Sequence, residues 1–142
     1  MSTPRISILM PVHNAEDTLV EAIESICVQT FSDWELIIVD DGSSDASREI
    51  LHTYEKRDSR ICGITRERCG IVEALMTAAS AARAPLLARM DADDISVAMR
   101  LESQITLFDH IPDLALCGTR VRMFGTSLGS GRKRYASWIN SL

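Results

Sequence analysis

The sequence predicts an α/β fold, a mostly parallel central sheet flanked by helices, and three observations carry that expectation. Short apolar runs recur at Ile6 to Met10, Glu35 to Val39, Ile61 to Thr65, Leu86 to Met90 and Leu114 to Cys117. Their starts lie roughly 25 to 29 residues apart, the length of a strand followed by a helix. Runs such as Leu36-Ile37-Ile38-Val39 are apolar on both faces, as strands covered by helices on both sides must be. The intervals between runs carry apolar residues at helical spacing, and that alternation is the sequence form of an open α/β sheet.

The first run ends in Pro11-Val12-His13-Asn14, and a helix follows on Leu19, Ala22, Ile23 and Ile26, spaced i, i+3, i+4, i+7. Asn14 and the acidic pair Glu16-Asp17 suit its start, where the helix dipole favours negative charge. The second run ends in Asp40-Asp41-Gly42-Ser43-Ser44-Asp45, with Ser44 or Asp45 expected to cap a helix marked by Ile50, Leu51 and Tyr54. Ile71, Leu75, Ala78, Ala79 and Ala82 mark a third helix with a small-residue face for close packing. The fourth run ends in Asp91-Ala92-Asp93-Asp94, and Leu101, Ile105 and Phe108 mark a helix that stops near Pro112. Beyond Gly118 the pattern breaks down among glycines at 118, 125, 129 and 131, and Arg132-Lys133-Arg134 reads as a solvated loop. Tyr135 to Leu142 is expected to open a helix with Trp138 on one face, so the sequence reads as truncated.

Composition narrows the function classes. With 142 residues, 46% apolar and 25% charged, the chain can bury a core of ordinary globular kind. Twenty acidic against 15 basic residues give a net charge of −5, which argues against nucleic-acid binding through a basic face. No run approaches the about 18 apolar residues of a membrane span, and Met-Ser-Thr-Pro-Arg leads straight into a strand with no signal peptide. The expected location is the cytoplasm, with peripheral attachment at the inner membrane surface left open. Cys27, Cys62, Cys69 and Cys117 form no C-x-x-C pair and are expected as small buried hydrophobes rather than ligands or bridges.

The chemistry gathers at strand ends. Six of the twenty acidic residues follow the second and fourth strands, on the rim where open α/β sheets bind ligands. Carboxylates crowded together raise each other's pKa unless a cation or donor relieves them. Asp91 and Asp93, two apart in an extended segment, would face one pocket, and few oxygen ligands with open positions suit Mg²⁺ or Mn²⁺. Gly42 permits a tight turn after Asp41. His13, alone on its loop, is better placed to stack near a base than to act as a catalytic group. No G-x-G-x-x-G, G-x-x-x-x-G-K-[ST] or G-x-S-x-G is present, so dinucleotide, P-loop and serine-hydrolase readings lose their usual support.

Together these segments resemble the family 2 glycosyltransferases, inverting enzymes of the Rossmann-like GT-A fold. The matching stretches are Ile6 to Glu16 (ISILMPVHNAE), Ser25 to Phe31 (SICVQTF), Trp34 to Asp45 (WELIIVDDGSSD), Ala88 to Asp94 (ARMDADD) and Arg100-Leu101-Glu102-x-Gln104. They run in order over roughly residues 5 to 125. The resemblance implies that residues 1–125 form a nucleotide-sugar-binding domain and that 126–142 begin an acceptor-side segment. It implies that Pro11, Val12 and His13 border the nucleoside with Glu16 nearby on the first helix, and that Asp41 binds the base, often uracil. It also implies that Gly70, Asp91, Ala92 and Asp93 complete the donor site, with Asp93 the principal contact to a Mn²⁺ or Mg²⁺ ion and Asp91 nearer the ribose.

Three places depart from the family pattern: Arg68-Cys69-Gly70 stands where an Asn usually comes before the glycine, Ala84 where Gly is frequent, and Ala98 where Pro is. Inverting transfer needs a general base to deprotonate the acceptor hydroxyl, and no Asp or Glu follows Asp113, so that base is expected outside this chain. The implied partners are a nucleotide-diphosphate sugar and an unidentified acceptor, with no nucleic acid and no integral membrane segment; self-association stays open. The alternative is a catalytically inactive module that holds a nucleotide or nucleotide sugar. A receiver-like phosphoacceptor is disfavoured because its paired acids would follow the first strand, and a sugar nucleotidyltransferase because it lacks the glycine-rich first loop.

Overall fold

The computed structural model describes residues 3–124 and 130–141. Gly125 and Gly129, the expected domain boundary at 125/126, and Leu142 lie outside the described residues. The elements in order are β1 (Ile6–Val12), α1 (Leu19–Cys27), β2 (Trp34–Asp41), α2 (Ser47–Arg57), β3 (Ile61–Arg66), α3 (Ile71–Ala81), β4 (Leu86–Arg89), α4 (Arg100–His110) and α5 (Ser130–Ile139). Contacts group the chain into two compact units, Met1–Glu102 and Ser103–Leu142.

In the first unit four parallel strands run in the order β3-β2-β1-β4. The pleat sends alternate side chains to opposite faces. Leu9, Ile37 and Val39 bury against Ala74 and Ala78 of α3, whose small side chains let the helix lie close to the sheet. The opposite face carries Ile8, Met10, Leu36 and Ile38, all fully buried. Gly63 sits in register with Ile38, and a Cβ there would come 2.8 Å from Leu51 Cγ and 2.7 Å from Glu55 Cδ. That near-clash places α2 over this second face and explains why the position takes glycine. Every residue of β2 is buried, as its two-faced apolar run predicts.

The amino-terminal rim of the sheet is closed by a polar network. Ser7 and Glu35 are register partners on β1 and β2, and the Ser7 hydroxyl donates to Glu35 Oε1 at 2.6 Å. The Arg83 backbone N–H reaches the same oxygen at 2.8 Å and its Nε reaches Oε2 at 2.7 Å. The Ala84 N–H donates to Ser7 Oγ at 3.1 Å, which anchors the chain just before β4. Burial opposes ionisation of Glu35, but the Ser7 hydroxyl and the Arg83 amide and guanidinium outweigh it and hold the carboxyl below its ordinary range. Beside it Trp34 is buried with the Arg60 guanidinium 3.7 Å from its ring centre, and Arg60 pairs with Asp58 at 2.7 Å.

In the second unit the Asn140 side chain ties back to Val121, accepting from its N–H at 2.7 Å and donating to its carbonyl at 2.8 Å. Several expectations are corrected. Leu114 to Cys117 form no strand; the run makes no ladder with another strand and Leu116 is exposed, and a strand without a partner leaves its backbone groups unpaired. The last helix begins at Ser130, five residues before Tyr135, so Arg132, Lys133 and Arg134 lie on it rather than in a loop. All four cysteines are free, but Cys62 and Cys69 are exposed and Cys27 and Cys117 only half-buried, so none is the fully buried hydrophobe expected. The N-cap of α2 is Ala46, and Asp45 caps from one position earlier by accepting the Ser47 N–H at 3.0 Å. Among the described residues no helix is long and apolar enough to cross a membrane.

Candidate functional site

The strand order turns back beside β1. The chain passes outward to β2 and β3, then returns through α3 to add β4 on the other side. Such a switch point leaves a crevice beyond the carboxyl ends of the strands. A cleft of about 330 Å³ opens there, lined by residues 11–15 and Thr18, by Asp41, by Ile71 and Ala74 of α3, and by Asp91, Ala92 and Asp93.

Cross-bonds between the loop after β1 and the loop after β2 fix one wall of the cleft. The Asn14 N–H donates to Ser43 Oγ at 3.0 Å, and Asn14 Oδ1 accepts the Ser44 N–H at 2.9 Å. The Ala15 N–H reaches Ser47 Oγ at 2.9 Å. Glu16 and Asp45 complete a reciprocal pair: Asp45 Oδ2 accepts the Glu16 N–H at 3.0 Å, and Glu16 Oε2 accepts the Ala46 N–H at 2.8 Å. Asn14 takes a left-handed φ of 51°, which its short polar side chain tolerates better than most. His13 Nδ1 donates to the Asp41 carbonyl at 2.9 Å, which leaves Nε2 to face the Asn14 amide at 3.4 Å.

The carboxylates divide by their partners. Asp40 bonds the Ser43 N–H and pairs with Arg48 at 3.1 Å, inside the turn. Gly42, at φ +70°, keeps that turn against Arg68, whose backbone nitrogen a Cβ would meet at 2.8 Å. Asp41 accepts the N–H groups of Cys69 and Gly70, each at 2.8 Å. The Cys69 bond is the chief cause of its lowered pKa; burial opposes it, and the Gly70 bond and the charges of Arg66 and His13 add to it. Asp41 thus occupies the donors ahead of α3 while one edge of it faces the cleft. Asp91 is held by Arg89, Nε to Oδ1 at 2.9 Å and Nη2 to Oδ2 at 3.3 Å. No hydrogen bond or ion pair reaches Asp93 among the described residues. Asp94 is pushed above the ordinary range, first by loss of solvent and then by Asp93 and Asp91.

Seven of the nine expected site residues therefore line one cleft: Pro11, Val12, His13, Asp41, Asp91, Ala92 and Asp93. Glu16 does not line it; it precedes α1 and ties the two loops together. Gly70 acts through its N–H on Asp41. The segment from Asp91 is also not extended, because Asp94 N–H turns back onto the Asp91 carbonyl at 3.2 Å; both aspartates reach the cleft from a turn. Asn14, Ala15, Thr18, Ile71 and Ala74 were not among the expected residues. Asn14 and Ala15 lie inside the first matching stretch, and the other three face the cleft only because α1 and α3 start beside it.

The model of the family described as Glycosyl transferase family 2 matches residues 7–140. The chain belongs to glycosyl transferase family 2. It is 42% identical over 103 residues to the UDP-Glc:alpha-D-GlcNAc-diphosphoundecaprenol beta-1,3-glucosyltransferase WfgD of Escherichia coli, covering 72% of this chain and 40% of that protein. Among solved structures it resembles S. aureus TarS in complex with UDP, with a TM-score of 0.70 at 23% identity over 75% of this chain and 32% of the other. A mannosyltransferase of Pyrobaculum calidifontis in complex with GDP-Man and Mn²⁺ gives 0.61 at 23% identity over 67% and 29%. The fold is the GT-A fold of these glycosyltransferases. The chain spans less than half the length of the curated relatives it matches.

For a family 2 domain the donor set suits a hard cation held by few protein ligands. Asp91 and Asp93 offer carboxylate oxygens at one mouth of the cleft, and no group of three or more ligating side chains exists among the described residues. Mg²⁺ and Mn²⁺ sites that take one or two carboxylates and complete their shell with water and phosphate have this form.

Proposed function

We propose that this family 2 domain binds a nucleotide-diphosphate sugar, a UDP-sugar first, and that the protein it belongs to transfers the sugar with inversion to an acceptor hydroxyl during polysaccharide or cell-surface glycan synthesis. The observation that carries the reading is the convergence of Asp41, Asp91 and Asp93 with His13 on one cleft at the switch point of the sheet. Residues 1–125 are the donor-binding domain and 126–142 the start of the acceptor side.

Each residue has a task its position supports. Pro11, Val12 and His13 border the nucleoside, and Asp41, ionised and fixed by two backbone donors, can accept from a base N–H with its remaining lone pairs. Asp93 and Asp91 would hold Mn²⁺ or Mg²⁺. Such a cation, when bound, supplies positive charge against the departing diphosphate. A cleft lined by three aspartates repels a bare diphosphate, so nucleotide binding should require the cation. The UDP complex of TarS and the Mn²⁺ and GDP-Man complex of the mannosyltransferase make the proposal concrete, and WfgD, named for a diphosphoundecaprenol acceptor, suggests a lipid-linked one.

A second reading is a module that holds the nucleotide or nucleotide sugar without turnover. Calorimetric titration of UDP, and then GDP, with and without Mn²⁺, tests the donor site in both readings. Metal-dependent binding that disappears in Asp93→Ala is the expected result, and failure of either nucleotide to bind with Mn²⁺ present overturns it.

A further inference from the structure

We propose that Arg89 is a positioning residue that makes cation binding depend on the nucleotide: by gripping Asp91 it leaves Asp93 as the free carboxylate of the pair. The inference rests on reading Asp91 and Asp93 as the cation's ligands.

The geometry is specific. Arg89 is the last residue of β4, in register with Leu9, and two hydrogen bonds onto main-chain carbonyls hold the backbone around it. The Met90 N–H donates to the Leu9 carbonyl at 3.0 Å, and Arg100 Nη2 donates to the Arg89 carbonyl at 2.9 Å. On the other side, the turn closed by the Asp94 N–H fixes Asp91. The guanidinium meets the carboxylate through two nitrogens on two oxygens, the fork geometry in which arginine loses least freedom per bond.

Exposure decides what such a pair can do. The Arg89 and Asp91 side chains are 56% and 40% exposed. A buried pair would lock Asp91 away from any ligand, since breaking it leaves a charge without water or partner. An exposed pair contributes little, enough to bias a competition and too little to block it. Without nucleotide, a divalent cation finds Asp93 open and Asp91 taken. With nucleotide, the phosphate oxygens add ligands and charge, and Asp91 can exchange its guanidinium for the cation. Arg89, released beside a diphosphate, keeps an anion within reach.

Electron paramagnetic resonance titration of free Mn²⁺ into the protein, with and without UDP or GDP, tests this on four forms: the unaltered chain, Arg89→Met, Asp91→Asn and the double variant. Arg89→Met should tighten Mn²⁺ binding in the absence of nucleotide by about fivefold, the scale of an exposed pair. Asp91→Asn should cancel that gain in the double variant, and Arg89→Lys, charged but without the fork, should fall between. By linkage the nucleotide's enhancement of Mn²⁺ affinity should shrink in Arg89→Met by the same factor. A merely structural arginine would not raise the affinity of the site it supports. Mn²⁺ affinity in Arg89→Met no higher than in the unaltered chain overturns the role of Arg89 while leaving the cation site standing. An unaltered chain that takes up no Mn²⁺ even with nucleotide present removes the cation-site reading itself, and this inference with it.

Discussion

At the amino rim of the sheet Glu35 is buried and held below the ordinary carboxylate range; at the carboxyl rim Asp94 is on the surface and pushed above it. The same chemical group takes opposite shifts because its neighbours differ in kind. Glu35 meets a hydroxyl, an amide and a guanidinium that leave its two oxygens satisfied. Asp94 loses solvent and meets two more aspartates, which outweigh the opposing charges of Arg100 and Arg89. A rim whose charges are complete holds strands together, whereas a rim with charge left over is prepared for something from outside.

The contrast is sharpest under substitution. Glu35→Ala strips the partners from Ser7 and the Arg83 amide at the amino rim, and should cost about 3 kcal/mol of stability, a fall in Tm of roughly 10 °C. Nucleotide affinity of the folded variant should not change. A loss below about 1 kcal/mol would show that the amino rim is not held by this network. Glu16→Ala cuts the tie between the two loops and should weaken nucleotide binding several-fold at about 1 kcal/mol, with Glu16→Gln, which keeps an acceptor oxygen, close to the unaltered protein. Equal affinity in all three would mean that the wall of the cleft does not need the tie.

The smallest effect separates the rims by pH. Glu35, with its depressed pKa, contributes stability that is present above the ordinary glutamate value of about 4.3 and is lost as pH falls through its folded value. Asp94, with its raised pKa, contributes stability that is present below the ordinary aspartate value of about 3.9 and is lost as pH rises through its folded value. Thermal melts between pH 2 and 7 should therefore show Glu35→Gln flattening the acid limb. Asp94→Asn should raise neutral-pH stability by at most a few tenths of a kcal/mol, since water screens an exposed group. A drop in stability for Asp94→Asn would place this residue among the holding charges instead.

Much of this was legible in the residues. Four strands and their following helices could be placed because each buries a face, and burial writes a period into the chain. Leu114 to Cys117 carried the same apolar signal without a neighbouring strand to pair with, and partners are not written locally. Asp41 ends a strand buried along its whole length, whereas Asp91 and Asp93 follow β4, whose residues are half-buried or exposed. Glu16, expected on the first helix, lies in the turn before it and bonds Ala46, thirty residues on, a partner that local spacing does not show. The part played by Gly70 was hidden for the same reason: it shows only when the chain ahead of α3 comes against Asp41. Ile71 and Ala74 read as core by spacing, and only the reversal of strand order turns them toward a cleft.

That reversal also sets an order of events in time. β1, β2 and β3 join neighbours along the chain, whereas β4 must return across two strands to pair Leu87 with Ser7, and distant pairings are slow to form because the loop must close first. Trp34, buried on β2 beneath Arg60, should therefore report the first three strands early in refolding, by fluorescence. The cleft cannot exist until β4 has brought Asp91 and Asp93 to the end of β1, so the capacity to hold a nucleotide should be the last native property to return.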